Sequence, residues 1–168
     1  CCLGKASKET SRREGIMAGT RVAVLGVVLL AICTGCSKSP QEQARDKLVG
    51  ELGVPWSKEE FIQAAKTGHS QVVELFLTAG MGADGTDESG TPALIWAARN
   101  GHAETVKTLL NNGADVNIAD KAGKTALIWA AAGDDISCAQ TLLAKGANVN
   151  VAALDGSTAS SVAKQKGN

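Results

Sequence analysis

The chain has 168 residues with 17 basic and 17 acidic side chains, so bulk charge gives no case for nucleic acid as a partner. Hydrophobic residues make up 44% but aromatics only 3%, with 19 glycines and no tyrosine, a profile of small-residue helices joined by many turns that excludes a large aromatic core. The length allows one modest domain.

Residues Cys1 to Ile16 precede a start signal, and Ser11, Arg12, Arg13, Glu14 and Gly15 are of the kind that purine-rich codons encode. Residues 1–16 are therefore expected to be untranslated leader or an extended basic n-region. From Met17 the chain runs MAGTR, then VAVLGVVLLAI from Val22 to Ile32 without a charge, then CTGCSKSP. A basic start, a short apolar core and small residues before a cut is the order of a secretory signal, here 17–35. A run of that length falls short of the roughly 20 residues that a helix needs to cross a bilayer.

Thr34 and Gly35 directly before Cys36 resemble the lipobox of bacterial lipoproteins, with Cys33 where leucine is usual. The resemblance implies lipid attachment at Cys36. Ser37 after that cysteine, by the sorting pattern of such lipoproteins, implies the outer membrane, with a soluble periplasmic protein as the alternative. Of five cysteines only Cys138 then lies in the folded part, so no internal disulfide forms and that thiol reads as a small buried hydrophobe.

In segment 36–57, Ser39, Pro40, Gln41 and Glu42 form a helix start with a capping serine, proline at the first position and glutamate three after the cap. The helix is expected to bury Ala44, Leu48, Val49 and Leu52 and to stop at Gly53. Ser57 to Glu60 form a second cap. Residues 58–168 then repeat: Trp96 and Trp129, Gly90 and Gly123, and Gly113 and Gly146 each stand 33 apart. A fixed period in this range means stacked structural repeats. One unit runs from about Phe61 to Asp87, the next from Gly90, the third from Gly123, and a remnant GSTASSVAKQKGN from Gly156. Each full unit has a short helix, a second helix with paired apolar residues (Phe76 and Leu77, Leu109 and Leu110, Leu142 and Leu143), and a turn into an extended tip.

These units resemble ankyrin repeats. Thr125, Leu127, Ala130 and Ala131 match the opening phrase, Gly101 and His102 the inter-helix turn, and Gly113 to Asn117 the closing Gly-Ala-Asp-Val-Asn. Pro92 in the threonine position, Asp134 and Asp135 in place of Gly-His, and a degraded turn from Met81 to Asp84 depart from the pattern. The first unit also resembles the opening repeat of bacterial exported ankyrin proteins. The resemblance implies an all-α solenoid of helix-turn-helix units with β-hairpin tips, about three full repeats closed by caps. At the C-terminal end Ser160 and Ser161 replace Leu127 and Ile128, as expected where a neighbour is missing.

Leu94, Ala97 and Ala98 share one helix face and Trp96 lies on the other. Trp96 and Trp129 either pack between adjacent repeats where the family often has leucine, or form a partly exposed aromatic ladder on the concave face that continues Gln63 and ends at Val162. Tryptophan is enriched at binding hot spots. The tips, with Asp87, Glu88, Ala119, Asp120 and Lys121, form a second candidate surface, since ankyrin tips commonly contact the partner. His69 and His102 are read as bracing the turns, Asp134 and Asp135 as capping residues, and Asn111 to Asp115 as a helix stop. No phosphate loop, metal spacing or serine elbow is found.

The sequence thus reads as a non-catalytic, monomeric protein–protein interaction module held at the bacterial envelope by an N-terminal lipid, with no cofactor, metal, nucleic-acid or small-molecule partner. A structural or accessory subunit that self-associates or caps another envelope protein is the alternative.

Overall fold

A computed structural model describes residues 38–167. The expected leader, signal segment and Cys36 lie outside the described residues.

The first helix, α1 (Pro40–Asp46), begins at the expected box: Ser39 Oγ accepts from the Glu42 amide at 3.3 Å while the Glu42 carboxylate accepts from the Ser39 amide at 3.0 Å. It continues as a π-helical turn, Lys47–Glu51, and ends at Gly53 with φ +63°. The π turn corrects the expected buried face. Ala44 and Leu48 are buried, but Val49 and Leu52 remain 49% and 48% exposed, because the wider turn rotates them off the stripe that a regular α-helix would align.

Three helix pairs follow, α2 (Lys58–Thr67) with α3 (Ser70–Thr78), α4 (Ala93–Arg99) with α5 (Ala103–Asn111), and α6 (Ala126–Gly133) with α7 (Ile136–Ala144), and then a lone α8 (Ala159–Lys166). None exceeds ten residues, too few to be stable alone in water, so stacking sustains them. The first helices pack in the order α2, α4, α6, α8, and the second helices form a parallel layer α1, α3, α5, α7. Helix α4 shows why the layers fit: Ala93, Leu94, Ile95, Ala97 and Ala98 are all buried, the alanines allowing close approach on both sides. Phe61, Phe76, Val73, Leu94, Val106, Leu109, Ile128 and Leu142 continue the core through the stack. At the N-terminal end Trp56 lies 5.3 Å from Phe76, with the Arg45 guanidinium 4.9 Å over its indole.

Neighbouring repeats are joined in a fixed register. The Asp115 amide donates to Asp84 Oδ1 at 2.9 Å, and 33 residues on the Asn148 amide donates to Asn117 Oδ1 at 2.8 Å. Asp84, in the turn that departs from the repeat pattern, thus does the same work as Asn117. Gly68 (φ +79°) and Gly101 (φ +75°) answer to the next repeat as well as to their own turn: a Cβ there would lie 2.6 Å from His102 Nδ1 and 2.7 Å from Asp135 Oδ1. His102 also places Nε2 3.0 Å from the Lys66 carbonyl. His102 and Asp135 therefore brace the preceding repeat; neither side chain caps its own helix, which corrects the capping role expected of Asp135. Asp134 holds the left-handed conformation, φ 64°, that glycine takes in the other repeats. Pro92 loses nothing to threonine, because Thr125 at the same position makes no cap hydrogen bond and its buried hydroxyl has no partner among the described residues.

The tips are closed turns. Each of the first two carries a single isolated bridge, Thr86 to Pro92 and Ala119 to Thr125, and no strand forms among the described residues. Short backbone bonds close each turn, such as the Asp120 amide to the Lys124 carbonyl at 3.0 Å, and a side chain takes further tip amides: Asp120 Oδ1 accepts from the Ala122 and Lys124 amides, both at 2.9 Å. That shortens the expected hairpin to a turn.

The two ends of the stack differ. Helix α1 covers α3 at one end, and α8 covers α6 at the other, where Ser160 and Ser161 are exposed as the repeat logic requires. Helix α7 has no such cover among the described residues. Leu110 is 9% exposed and its counterpart Leu143 is 47%, with Ile136 one face-repeat away at 65%.

Candidate interaction surface

Each of the two half-buried tryptophans is held by the tip that directly precedes its helix. Trp96 Nε1–H donates to Asp87 Oδ2 at 2.9 Å, and Trp129 Nε1–H donates to Asp120 Oδ2 at 3.0 Å. Tip and helix are thereby locked to each other, and the plane of each indole is fixed. The pair exists only in the two central units. One period before, the positions are Val54 and Gln63; one period after, they are Ala153 and Val162. Acid and indole are present together or absent together.

With the rings fixed, cations lie over them. Lys66 Nζ is 4.1 Å from the Trp96 centroid, and the Arg99 guanidinium carbon is 5.3 Å from Trp96 and 4.7 Å from Trp129. Lys124 Nζ is 5.4 Å from Trp129. All are within the range of cation–π attraction. Lys66 and Arg99 reach forward to the ring of the next repeat, so both readings of the tryptophans meet in one arrangement: the indoles pack between repeats, and they also form a partly exposed row on the surface.

The electrostatics follow from the contacts. Desolvation acts to raise the Asp87 pKa, but the Ser89 hydroxyl, the Thr91 amide, the Trp96 indole and the Lys66 ammonium at 3.6 Å together hold it well below its ordinary value. Asp155, with the Ser157 hydroxyl and amide and Lys124 at 3.1 Å, is lowered to about 2. Asp87 and Asp120 both turn inward to the indoles and are already engaged within the stack.

The remaining expected residues sit around this row. Gln63 is exposed on α2 and lines, with Ile62, Lys66, Asp87 and Glu88, an open groove of about 550 Å³ between that helix and the first tip. Glu88, Ala119 and Lys121 are exposed. The Lys121 stem lies over the first tip, where a Cβ on Gly90 would meet its Cε at 2.8 Å, and the Leu154 amide donates to the Ala122 carbonyl at 2.9 Å, so the tips rest on one another. Val162, on α8, is half-buried beyond Trp129. The sequence reading missed Lys66, Arg99 and Lys124. Signals for the arrangement were present: Asp87 and Trp96, like Asp120 and Trp129, are nine apart, and Lys66 to Trp96, like Arg99 to Trp129, is thirty.

Among the described residues no group of histidine, cysteine and carboxylate side chains could hold a metal ion, and no helix is long and apolar enough to cross a membrane. Burial pushes the Cys138 thiol up to about 11, with Asp135 adding to the effect. What the surface offers is recognition: fixed aromatic faces, cations and ordered tips.

Residues 61–153 match the family described as ankyrin repeats, in three copies. Comparison with curated proteins gave no match.

Proposed function

Because this chain belongs to the ankyrin-repeat family, whose repeats serve as protein–protein interaction modules, we propose that it is a protein-binding module of the bacterial cell envelope. Ankyrin-repeat domains are typically non-catalytic, and the reading here is recognition without chemistry. Its contact surface is the row Gln63, Trp96, Arg99, Trp129 and Val162, with Glu88, Ala119 and Lys121 at the tips. The observation that carries this is the pair of indoles pinned by carboxylates, with the Arg99 guanidinium shared between them. Two large aromatic faces are ordered before any partner arrives, which lowers the entropic cost of association. Anchorage is proposed through lipid on Cys36 at the outer membrane, facing the periplasm, on the strength of the sequence from Met17 to Ser37.

The test is a crosslinked capture from whole envelopes with the tagged full chain beside Trp96→Leu/Trp129→Leu. A partner lost only from the leucine form, with the helical circular dichroism intact, supports the row; a partner kept by both forms removes it. Palmitate labelling present in the parent and absent from Cys36→Ala supports the anchor, and equal labelling of both contradicts it.

A second reading is favoured by the open end of the stack. Ile136 and Leu143 are exposed where the equivalent positions in earlier repeats are buried (Leu110) or half-buried (Ser70, Leu77, Ala103), which suits an accessory subunit that self-associates or caps another envelope protein. A concentration-dependent mass that Leu143→Asp abolishes would favour it; a constant mass would leave the monomeric module.

A further inference from the structure

The cations of the row differ in what opposes them. Lys66 faces Asp87 and Lys124 faces Asp155. Arg99, between them in repeat order, lies within cation–π reach of both indoles, yet among the described residues no carboxylate comes within ion-pairing distance of it and no acceptor takes its N–H groups. The nearby acids do not serve it, since Asp87 and Asp120 direct their oxygens at the indole N–H groups and at tip amides. The side chain is exposed and its planar head is steadied by two rings that are themselves fixed.

A guanidinium presents its donors as a fork that matches a carboxylate in two parallel hydrogen bonds. One held against aromatic faces has less freedom to lose when it binds. We propose that Arg99 is the receptor for a side-chain carboxylate, from aspartate or glutamate, in an extended segment of the protein partner, with Trp96 and Trp129 taking the apolar neighbours of that residue. The proposal rests on the reading of the row as a protein-binding surface and adds the chemistry that selects the partner.

Two alternatives fit the row less well. A cationic partner would meet Lys66, Arg99 and Lys124 on the same rings. A phosphate carries close to two charges at neutral pH and would be repelled more strongly than a carboxylate by Asp87 and Asp120 at the indole edges. Asp87 and Asp120 are positioning residues here: they orient the rings that orient Arg99.

The test uses the purified full chain in detergent and a randomised dodecapeptide display library as the probe. Selected peptides are expected to share an acidic residue. Changing that residue to its amide, or Arg99→Gln, should each weaken binding at least tenfold, and both together should weaken it little further. Arg99→Lys, which keeps the charge and loses the fork, should fall between. Acetate should compete at lower concentration than inorganic phosphate. Peptides without a shared acid, or whose binding survives Arg99→Gln but is lost in Trp96→Leu/Trp129→Leu, would overturn the carboxylate assignment and leave the row standing. Better competition by phosphate would overturn it too. If selection yields no peptide that depends on the tryptophans, both the assignment and the row fail.

Discussion

Removing the Asp120 carboxylate tests the lock between tip and helix. Asp120→Ala deprives three N–H groups of their acceptor: the Ala122 and Lys124 amides at 2.9 Å and the Trp129 indole at 3.0 Å. A hydrogen bond to a charged acceptor contributes on the order of 1.5–3 kcal/mol, but the tip amides can turn to water, so the three together are expected to give a loss of about 2–3 kcal/mol. For a domain of this size that is a fall in Tm of roughly 6–12 °C. The informative quantity is the coupling with Trp129→Phe, which keeps a ring and removes the N–H. In a double-mutant cycle by urea denaturation, the indole–carboxylate term should appear as about 1 kcal/mol of non-additivity. Additivity within about 0.3 kcal/mol would show that the bond contributes nothing and would refute the argument that the carboxylate fixes the ring.

Gly68→Ala combines a left-handed backbone with a Cβ 2.6 Å from the His102 ring and should cost about 2 kcal/mol or more in chemical denaturation, partly restored by His102→Ala. Gly113→Ala, with φ +87° and open space around it, should cost only the backbone part, about 1 kcal/mol. Thr105→Val removes a buried hydroxyl without a partner and should leave the urea midpoint unchanged or raise it by about 1 kcal/mol in stability; a loss above that would mean the hydroxyl is satisfied in solution. Asp87 has a folded-state pKa below its ordinary 3.8, so its contribution is complete above that value and is lost as pH falls through and below it. The stability gap between the parent and Asp87→Asn should therefore close on acidification below about pH 4, and a gap independent of pH would contradict the assigned contacts. Cys138, raised to about 11, should resist alkylation at pH 8 in the folded chain and react after unfolding, as read by peptide mass mapping.

The period of 33 made the helix pairs legible, because stacking requires each unit to repeat the same small and apolar positions. The caps at Ser39 and Ser57 were equally plain, since a hydroxyl three residues before a free amide is a local rule. The π turn was not legible, and it displaced Val49 and Leu52, because the extra residue per turn answers to packing against α3 and leaves no mark in the spacing. The site was half legible. Trp96 and Trp129 announce themselves by composition. Lys66 and Arg99 sit thirty residues from the rings of the next repeat, Trp96 and Trp129, three short of the period, and the offset between stacked helices brings them into contact, while Arg99 also reaches Trp96 three residues before it on its own helix. The acids at the tips suggested partner contacts because exposed turns usually hold solvated charge, whereas these two turn inward to an indole and to backbone amides.

The most direct measurement is hydroxyl-radical footprinting of the full chain, alone and in complex with the partner captured from envelopes. The account predicts that Trp96 and Trp129 are oxidised in the free protein and protected in the complex, while Ile136 and Leu143 at the open end react equally in both. Protection of Ile136 and Leu143 with unchanged oxidation of the two tryptophans would contradict it and move the binding surface to the end of the stack.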